Sequence, residues 1–194
     1  VVTSSLAGEG KSTVVGNLAY SLSQDGARVL VIDCDLRKPS IHENFLLSNE
    51  KGLTDMLVGK SDLKSVTKKI EDSLFLITAG TIPPNPAEIL GSSAMEDLIE
   101  ELSTNFDYII LDTSSVLPAS DAWLLASKAD ATLIVVKARK TKEKMVKESY
   151  AQLVDAGANV IGTVLNESDK SLDNKYCGYY EEGKSKKGKR FNKI

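Results

Sequence analysis

The chain reads as an α/β protein with a doubly wound, mainly parallel sheet and helices on both faces. Two observations predict this class. Short runs that are apolar throughout recur along the sequence, as strands buried on both faces require. Stretches of helical period separate them, and strands alternating with helices build a parallel sheet. A strand-like segment, Val1-Val2-Thr3-Ser4, opens the chain. Val14, Val15, Leu18, Ala19 and Leu22 then recur at helical spacing, with Gly26 as the stop. Arg28 to Asp33 is an apolar run ending on an acid, and Ser73 to Ile77 is a second run. Gly80 to Pro86 is a turn-rich loop ahead of a helix. Asp107 to Asp112 again ends an apolar run on an acid, and Ala131 to Val136 follows. Met145, Val146, Tyr150, Leu153 and Val154 form a second helical stripe, closed by Gly157, and Val160 to Leu165 is the last run.

Beyond Asn166 the periodicity fades. The expected organisation is therefore one domain over residues 1–169 and a flexible basic tail over 170–194 that carries a tyrosine cluster. Because the chain opens inside what reads as a central strand, residues upstream are expected. Of the 194 residues, 42% are hydrophobic and 26% charged, an ordinary globular balance. No apolar run approaches the ~18 residues of a membrane span, and no secretory leader is visible. Cys34 and Cys177 make neither a disulfide framework nor a metal pattern, so a cytoplasmic setting is the simplest reading. The net charge of -3 hides an asymmetry. Residues 170–194 hold eight Lys/Arg and three acids, giving +5, which leaves -8 on the body. An acidic body argues against nucleic acid as a partner.

The chemistry concentrates after the first strand, at Gly8-Glu9-Gly10-Lys11-Ser12-Thr13. A Gly-rich turn lets backbone N–H groups point at phosphate oxygens, and the helix N-terminus behind it adds partial positive charge. Lys11 would reach the β- and γ-phosphates of a nucleotide, and the Ser12 hydroxyl would ligate Mg²⁺. The strict pattern begins with Gly, where this chain has Ser5. Asp33, Asp35 and Asp112 fall at the carboxyl ends of expected strands, where open α/β sheets bind ligands. Asp112 follows four apolar residues, as a Mg²⁺-holding acid does. Asp33 and Asp35 flank Cys34, which in extended backbone puts both carboxylates on one face and the thiol on the other. Two carboxylates beside Mg-ATP can divide the labour, one holding the metal and one accepting a proton. His42 is expected in a surface loop, and Trp123 and Leu124 in core or interface.

Val31-Ile32-Asp33-Cys34-Asp35-Leu36-Arg37-Lys38-Pro39 resembles the Walker A′ segment of the bacterial P-loop tyrosine kinases of capsule and exopolysaccharide synthesis. Pro83-Pro84-Asn85-Pro86-Ala87-Glu88-Ile89-Leu90, and Asp112-Thr113 through Asp121-Ala122, match the same family. The resemblance covers roughly residues 1–180 by motif order. It implies a P-loop fold of Walker A, A′ and B type that uses ATP and Mg²⁺. Lys11 would neutralise the transferring phosphate. Ser12, Asp35 and Asp112 would surround the metal, Asp33 or Asp35 would act as base with Asp33 favoured, and Asn166 would contact the nucleotide base. Tyr176, Tyr179 and Tyr180 would be phosphorylated by a neighbouring subunit. Arg37 and Lys38 would reach phosphates or a neighbour, or lie in a solvated loop. The resemblance further implies a membrane-protein activator acting through its cytoplasmic tail, a ring-like homo-oligomer, a cognate tyrosine phosphatase, and a place at the inner face of the membrane.

One feature departs from the family. Ser114 and Ser115 stand where it usually has two prolines, so a looser loop is expected there. The rival reading is a partitioning or septum-positioning ATPase, which shares the fold and the Walker A′ acids. Those proteins carry an extra P-loop lysine where this chain has Leu6, and they leave the tyrosines unexplained. A non-catalytic nucleotide-binding scaffold is the third reading, supported only by Ser114 and Ser115.

Overall fold

The computed structural model describes residues 1–168. In chain order the elements are β1 (Val2–Ser4), α1 (Lys11–Gln24), β2 (Val29–Asp33), α2 (Ile41–Asn44), α3 (Leu53–Leu57), α4 (Leu63–Val66) and β3 (Thr67–Lys69). There follow β4 (Leu74–Ile77), α5 (Pro86–Leu90), α6 (Ser93–Ser103), β5 (Tyr108–Asp112), α7 (Asp121–Ala126), β6 (Thr132–Lys137), α8 (Glu143–Asp155) and β7 (Val160–Asn166). One sheet holds all these strands in the order β3-β4-β2-β5-β1-β6-β7. Every pairing is parallel except β3 with β4. The sequence reading included neither β3 nor the short helices α2 to α4, which are too brief to show a period.

Local chemistry fixes the helix ends. Gly26, at φ 94°, closes α1 in the left-handed conformation that glycine adopts without strain. Pro86 sits in the first turn of α5, where its missing N–H costs nothing, and the Ser92 side chain caps α6 by accepting from Met95 N. On one face of the sheet Val15 and Ala19 of α1 pack on Val2, Val29, Val31 and Leu76. On the other, Leu30, Ile32 and Leu111 meet Leu90, Met95, Leu98 and Leu102 of α5 and α6. A smaller cluster joins Ile134 to Ala122, Ala126 and Leu153. Each fully buried aliphatic side chain contributes roughly 1.5–3 kcal/mol.

Three expectations change here. The run Val160 to Leu165 is not buried on both faces: β7 is an edge strand, with Ile161 and Leu165 exposed. In α8 the buried line runs through Ser149 and Leu153, and Tyr150 and Val154 face solvent. His42 lies in α2, half-buried with Nδ1 unpartnered, and not in a surface loop. Cys34 is buried in the core, as its alternation with the two acids predicts. Trp123 is partly buried against the cluster under α7 and α8.

The topology positions the site. β2, β5 and β1 are adjacent, with Asp33 beside Asp112 and Asp112 beside Val2 in register. The carboxyl ends of three neighbouring strands therefore gather Asp33, Asp112 and the turn after β1.

Candidate active site

The turn between Ser4 and Lys11 is shaped by two glycines of positive φ and leads into the N-terminus of α1, which has no side-chain cap. Gly8 and Gly10 take φ of 78° and 92°, and a Cβ on Gly10 would lie 2.0 Å from Asn166 Nδ2. Any side chain there would displace the strut behind the loop. The first turn of α1 carries no acid, so its positive end is available to an anion.

Side chains hold this turn from outside. Glu9 is buried, and its carboxylate accepts from Leu6 N at 3.0 Å and from the Thr141 hydroxyl. Asn166 Nδ2 donates to Glu9 O at 3.0 Å. Ser5, in the place of the usual glycine, has a use for its hydroxyl: it accepts from Ser149 Oγ at 2.9 Å and lies 3.3 Å from Met145 O as donor. The cradle is thus tied to β7, to α8 and to the loop before α8. Thr141 and Ser149 were not legible as site residues, since neither sits in a motif. The Ser5 departure was the only signal, pointing to a hydroxyl-bearing partner. Asn166 is the last residue of β7 and not beyond it, and it serves in this structure as a strut for Glu9.

The floor of the site is acidic and incompletely partnered. Asp33 and Asp112 are both fully buried. Asp33 Oδ1 accepts from Asp35 N at 3.1 Å, but among the described residues Asp33 Oδ2 and both Asp112 carboxylate oxygens have no hydrogen-bond partner. Burial pushes the Asp33 pKa up to about 8, with the Asp112 charge adding to it and the backbone N–H groups of Asp35 and Ile41 opposing. Burial likewise raises Asp112 to about 6, against the nearby Ser12 hydroxyl and the Lys11 charge. Acceptor oxygens buried without donors are costly unless something positive completes them. They fit a divalent cation carried by a nucleotide, with Asp112 and Ser12 placed to hold it directly or through water. Asp35 follows the end of β2 and is only half-buried, and its Oδ1 accepts from Lys38 N at 3.0 Å. Ser12 Oγ lies 3.1 Å from Ser40 Oγ, and Lys11 is nearly buried at 8% exposure.

The loop after β5 is firmer than its lack of prolines suggests. Thr3 Oγ1 donates to Ser114 O at 2.8 Å, Thr113 Oγ1 to Val2 O at 3.1 Å, and Val116 N to Ser4 O at 2.9 Å. Ser114 and Ser115 are buried, and these bonds tie the loop to β1. Arg37 is also corrected. It is half exposed, yet held by the protein itself: its Nε and Nη2 grip Asp121 at 2.6 and 3.0 Å, and the Asp121 side chain is fully buried. The pair clamps the Walker A′ loop to α7. Tyr176, Tyr179 and Tyr180 lie outside the described residues.

A Gly-rich phosphate turn, a buried lysine and two strand-end acids on adjacent strands define a P-loop nucleotide-binding domain. Residues 1–154 match the family model described as an AAA domain. The chain is 39% identical over 181 residues to the tyrosine-protein kinase YwqD of Bacillus subtilis, covering 93% of this chain and 76% of that protein. Among solved structures, the chimerical protein CapA2B2 superimposes with a TM-score of 0.85 at 35% identity, over 87% of this chain and 75% of that one. The kinase domain of the Escherichia coli tyrosine kinase ETK gives 0.82 at 35%, over 85% and 65%. This chain belongs to the bacterial tyrosine-protein kinase family and is an ATP-dependent protein-tyrosine kinase. The septum site-determining protein MinD of Pyrococcus horikoshii, at 20% identity and a TM-score of 0.70, shares the fold alone.

Proposed function

We propose that the chain transfers the γ-phosphoryl group of Mg-ATP to Tyr176, Tyr179 and Tyr180 of a neighbouring copy, in the service of capsule or exopolysaccharide synthesis. The observation that carries this reading is the pairing of a Gly-rich turn at an uncapped helix N-terminus with a buried floor of carboxylate oxygens that have no partner among the described residues. The cradle N–H groups and Lys11 neutralise charge on the phosphates. Ser12, Asp112 and Asp35 would hold a Mg²⁺ ion, which would supply charge neutralisation for the transferring group. Asp33 in its ionised form, which a nearby Mg²⁺ would favour, takes the tyrosine proton as the phenolic oxygen bonds phosphorus and the bond to ADP breaks. Catalysis is then positioning plus charge stabilisation. Asn166, besides its strut role, borders the cradle and would meet the nucleotide base. The reading extends to a membrane-protein activator with a cytoplasmic tail, a ring-like homo-oligomer, an opposing tyrosine phosphatase, and a place at the inner face of the membrane, each supported by the family resemblance alone. Among the described residues no helix is long and apolar enough to cross a membrane.

The test is to incubate the chain with γ-labelled ATP and Mg²⁺ and to map the label. Label on the tail tyrosines, removed by Lys11→Met, supports the reading. Release of free phosphate without labelled tyrosine contradicts it and favours a regulatory ATPase.

A further inference from the structure

Resting on the tail as acceptor, we propose that the loop leading into α8 is a basic rim that recognises the acidic residues following the acceptor tyrosines in a second copy of this chain. Residues 137–147 read Lys-Ala-Arg-Lys-Thr-Lys-Glu-Lys-Met-Val-Lys, six bases against one acid. The acid, Glu143, is already engaged by Lys147 at 2.7 Å, and Lys137 pairs with Glu167. Lys140, Lys142 and Lys144 are exposed and make no ion pair among the described residues. A run of bases on an acidic body is ordinarily a solvated face. Here the loop is fastened to the phosphate cradle. Lys137 N donates to Thr141 Oγ1 at 3.1 Å, the Thr141 hydroxyl donates to Glu9, and Ala138 N donates to Asn166 O at 2.9 Å. With Thr141 anchored to the P-loop glutamate, Lys140 and Lys142 flank that anchor on the rim over which an acceptor must pass.

The sequence around the acceptors complements this rim. Tyr179-Tyr180 is followed at once by Glu181-Glu182, although the tail as a whole is basic. An extended chain advances about 3.3–3.6 Å per residue. With Tyr180 at the phosphate, the two glutamates would therefore lie within about 7 Å of it along the chain, inside the reach of a lysine on the rim. Tyr176 is five residues from Glu181, so the rim favours Tyr180 and Tyr179 over Tyr176. Opposite charges arranged across an interface set register and encounter rate.

The experiment measures binding first, so that it does not depend on turnover. A fluorescein-labelled peptide of residues 174–184 is titrated with the full chain in its Lys11→Met form, which keeps bound acceptor unmodified, and followed by anisotropy. The expected result is that Lys140→Glu, Lys142→Glu and Lys144→Glu together weaken binding about tenfold, roughly the sum of a few exposed ion pairs. Glu181→Gln with Glu182→Gln in the peptide should weaken it similarly. The lysine reversals should then have little further effect on that peptide, and a Glu181→Lys, Glu182→Lys peptide should regain affinity for the reversed chain. Unchanged affinity in the reversed chain overturns the proposal, as does equal weakening for both peptides. Loss of binding to phosphatidylserine vesicles with peptide affinity intact would make the rim a membrane patch instead. If the unaltered chain binds the peptide through the rim but labels none of its tyrosines with Mg-ATP, the acceptor reading fails while the rim stands.

Discussion

The two halves of the site are built by opposite rules. In the cradle, Ser5, Leu6, Glu9 and Asn166 are joined to one another or to α8, β7 and the loop before α8, so the turn is fixed before any ligand arrives. On the floor, Asp33 and Asp112 are as deeply buried, yet three of their four carboxylate oxygens have no donor among the described residues. The cradle is complete as protein, whereas the floor fits a cation. Preorganised donors are inexpensive to maintain, whereas unpartnered buried acceptors keep the empty protein under electrostatic tension. That contrast separates what binds phosphate from what the metal adds.

The largest effect should come from Lys11→Met. Tyrosine phosphorylation should fall by about 10²–10³-fold or more, as for removal of a main charge-stabilising group. The Tm of the nucleotide-free chain should barely move, and a large drop by calorimetry would make Lys11 a structural residue. Next is Asp33→Asn, which should also abolish activity but stabilise the nucleotide-free chain. Because the folded pKa of Asp33 is raised from 3.8 to about 8, the native state binds the extra proton between those values. Stability from this group is therefore full below pH 4 and is lost as pH rises toward 8. The variant should flatten that slope and gain roughly 1–3 kcal/mol at pH 8, a few degrees in Tm. A variant that melts lower than the parent at pH 8 would remove the tension from the account.

Arg37→Ala tests the clamp between the Walker A′ loop and α7. It leaves the Asp121 carboxylate buried without its guanidinium, at a cost of roughly 1–3 kcal/mol, moderated because Arg37 itself is half exposed. Arg37→Lys should recover only part of this, since the two-point grip needs the planar fork. The smallest effect should come from Thr141→Val, which removes one donor to Glu9. The KM for ATP should rise by about two- to fivefold with kcat little changed, a neutral-to-charged hydrogen bond being worth about a kcal/mol where it is partly exposed. An unaltered KM would show that the cradle holds its shape without that tie.

The sequence made the phosphate turn, the strand-end acids and six of the strands legible, because each rests on a local rule: glycine conformations, apolar runs, and acids at strand ends. The strand-order reversal that brings Asp33 and Asp112 side by side was legible only as a fold class. What pattern reasoning missed was long-range. Thr141 and Ser149 are ordinary polar residues until the fold sets them against Glu9 and Ser5, 132 and 144 positions away. Arg37 read equally as solvated or phosphate-facing because its partner, Asp121, is 84 residues downstream. The exposure of β7 was hidden because an apolar run looks the same at a sheet edge as at its centre, and the bonds that tie the loop at Ser114 and Ser115 were hidden because they come from β1.

The division between cradle and floor is tested most directly by calorimetric titration of ADP into the unaltered chain and its Asp112→Asn variant, each with and without Mg²⁺. The account predicts that Mg²⁺ tightens ADP binding about tenfold or more in the unaltered chain. It predicts that Asp112→Asn abolishes this increment while leaving Mg²⁺-free binding equal or tighter. An increment of the same size in the variant would contradict the assignment of the floor to the metal.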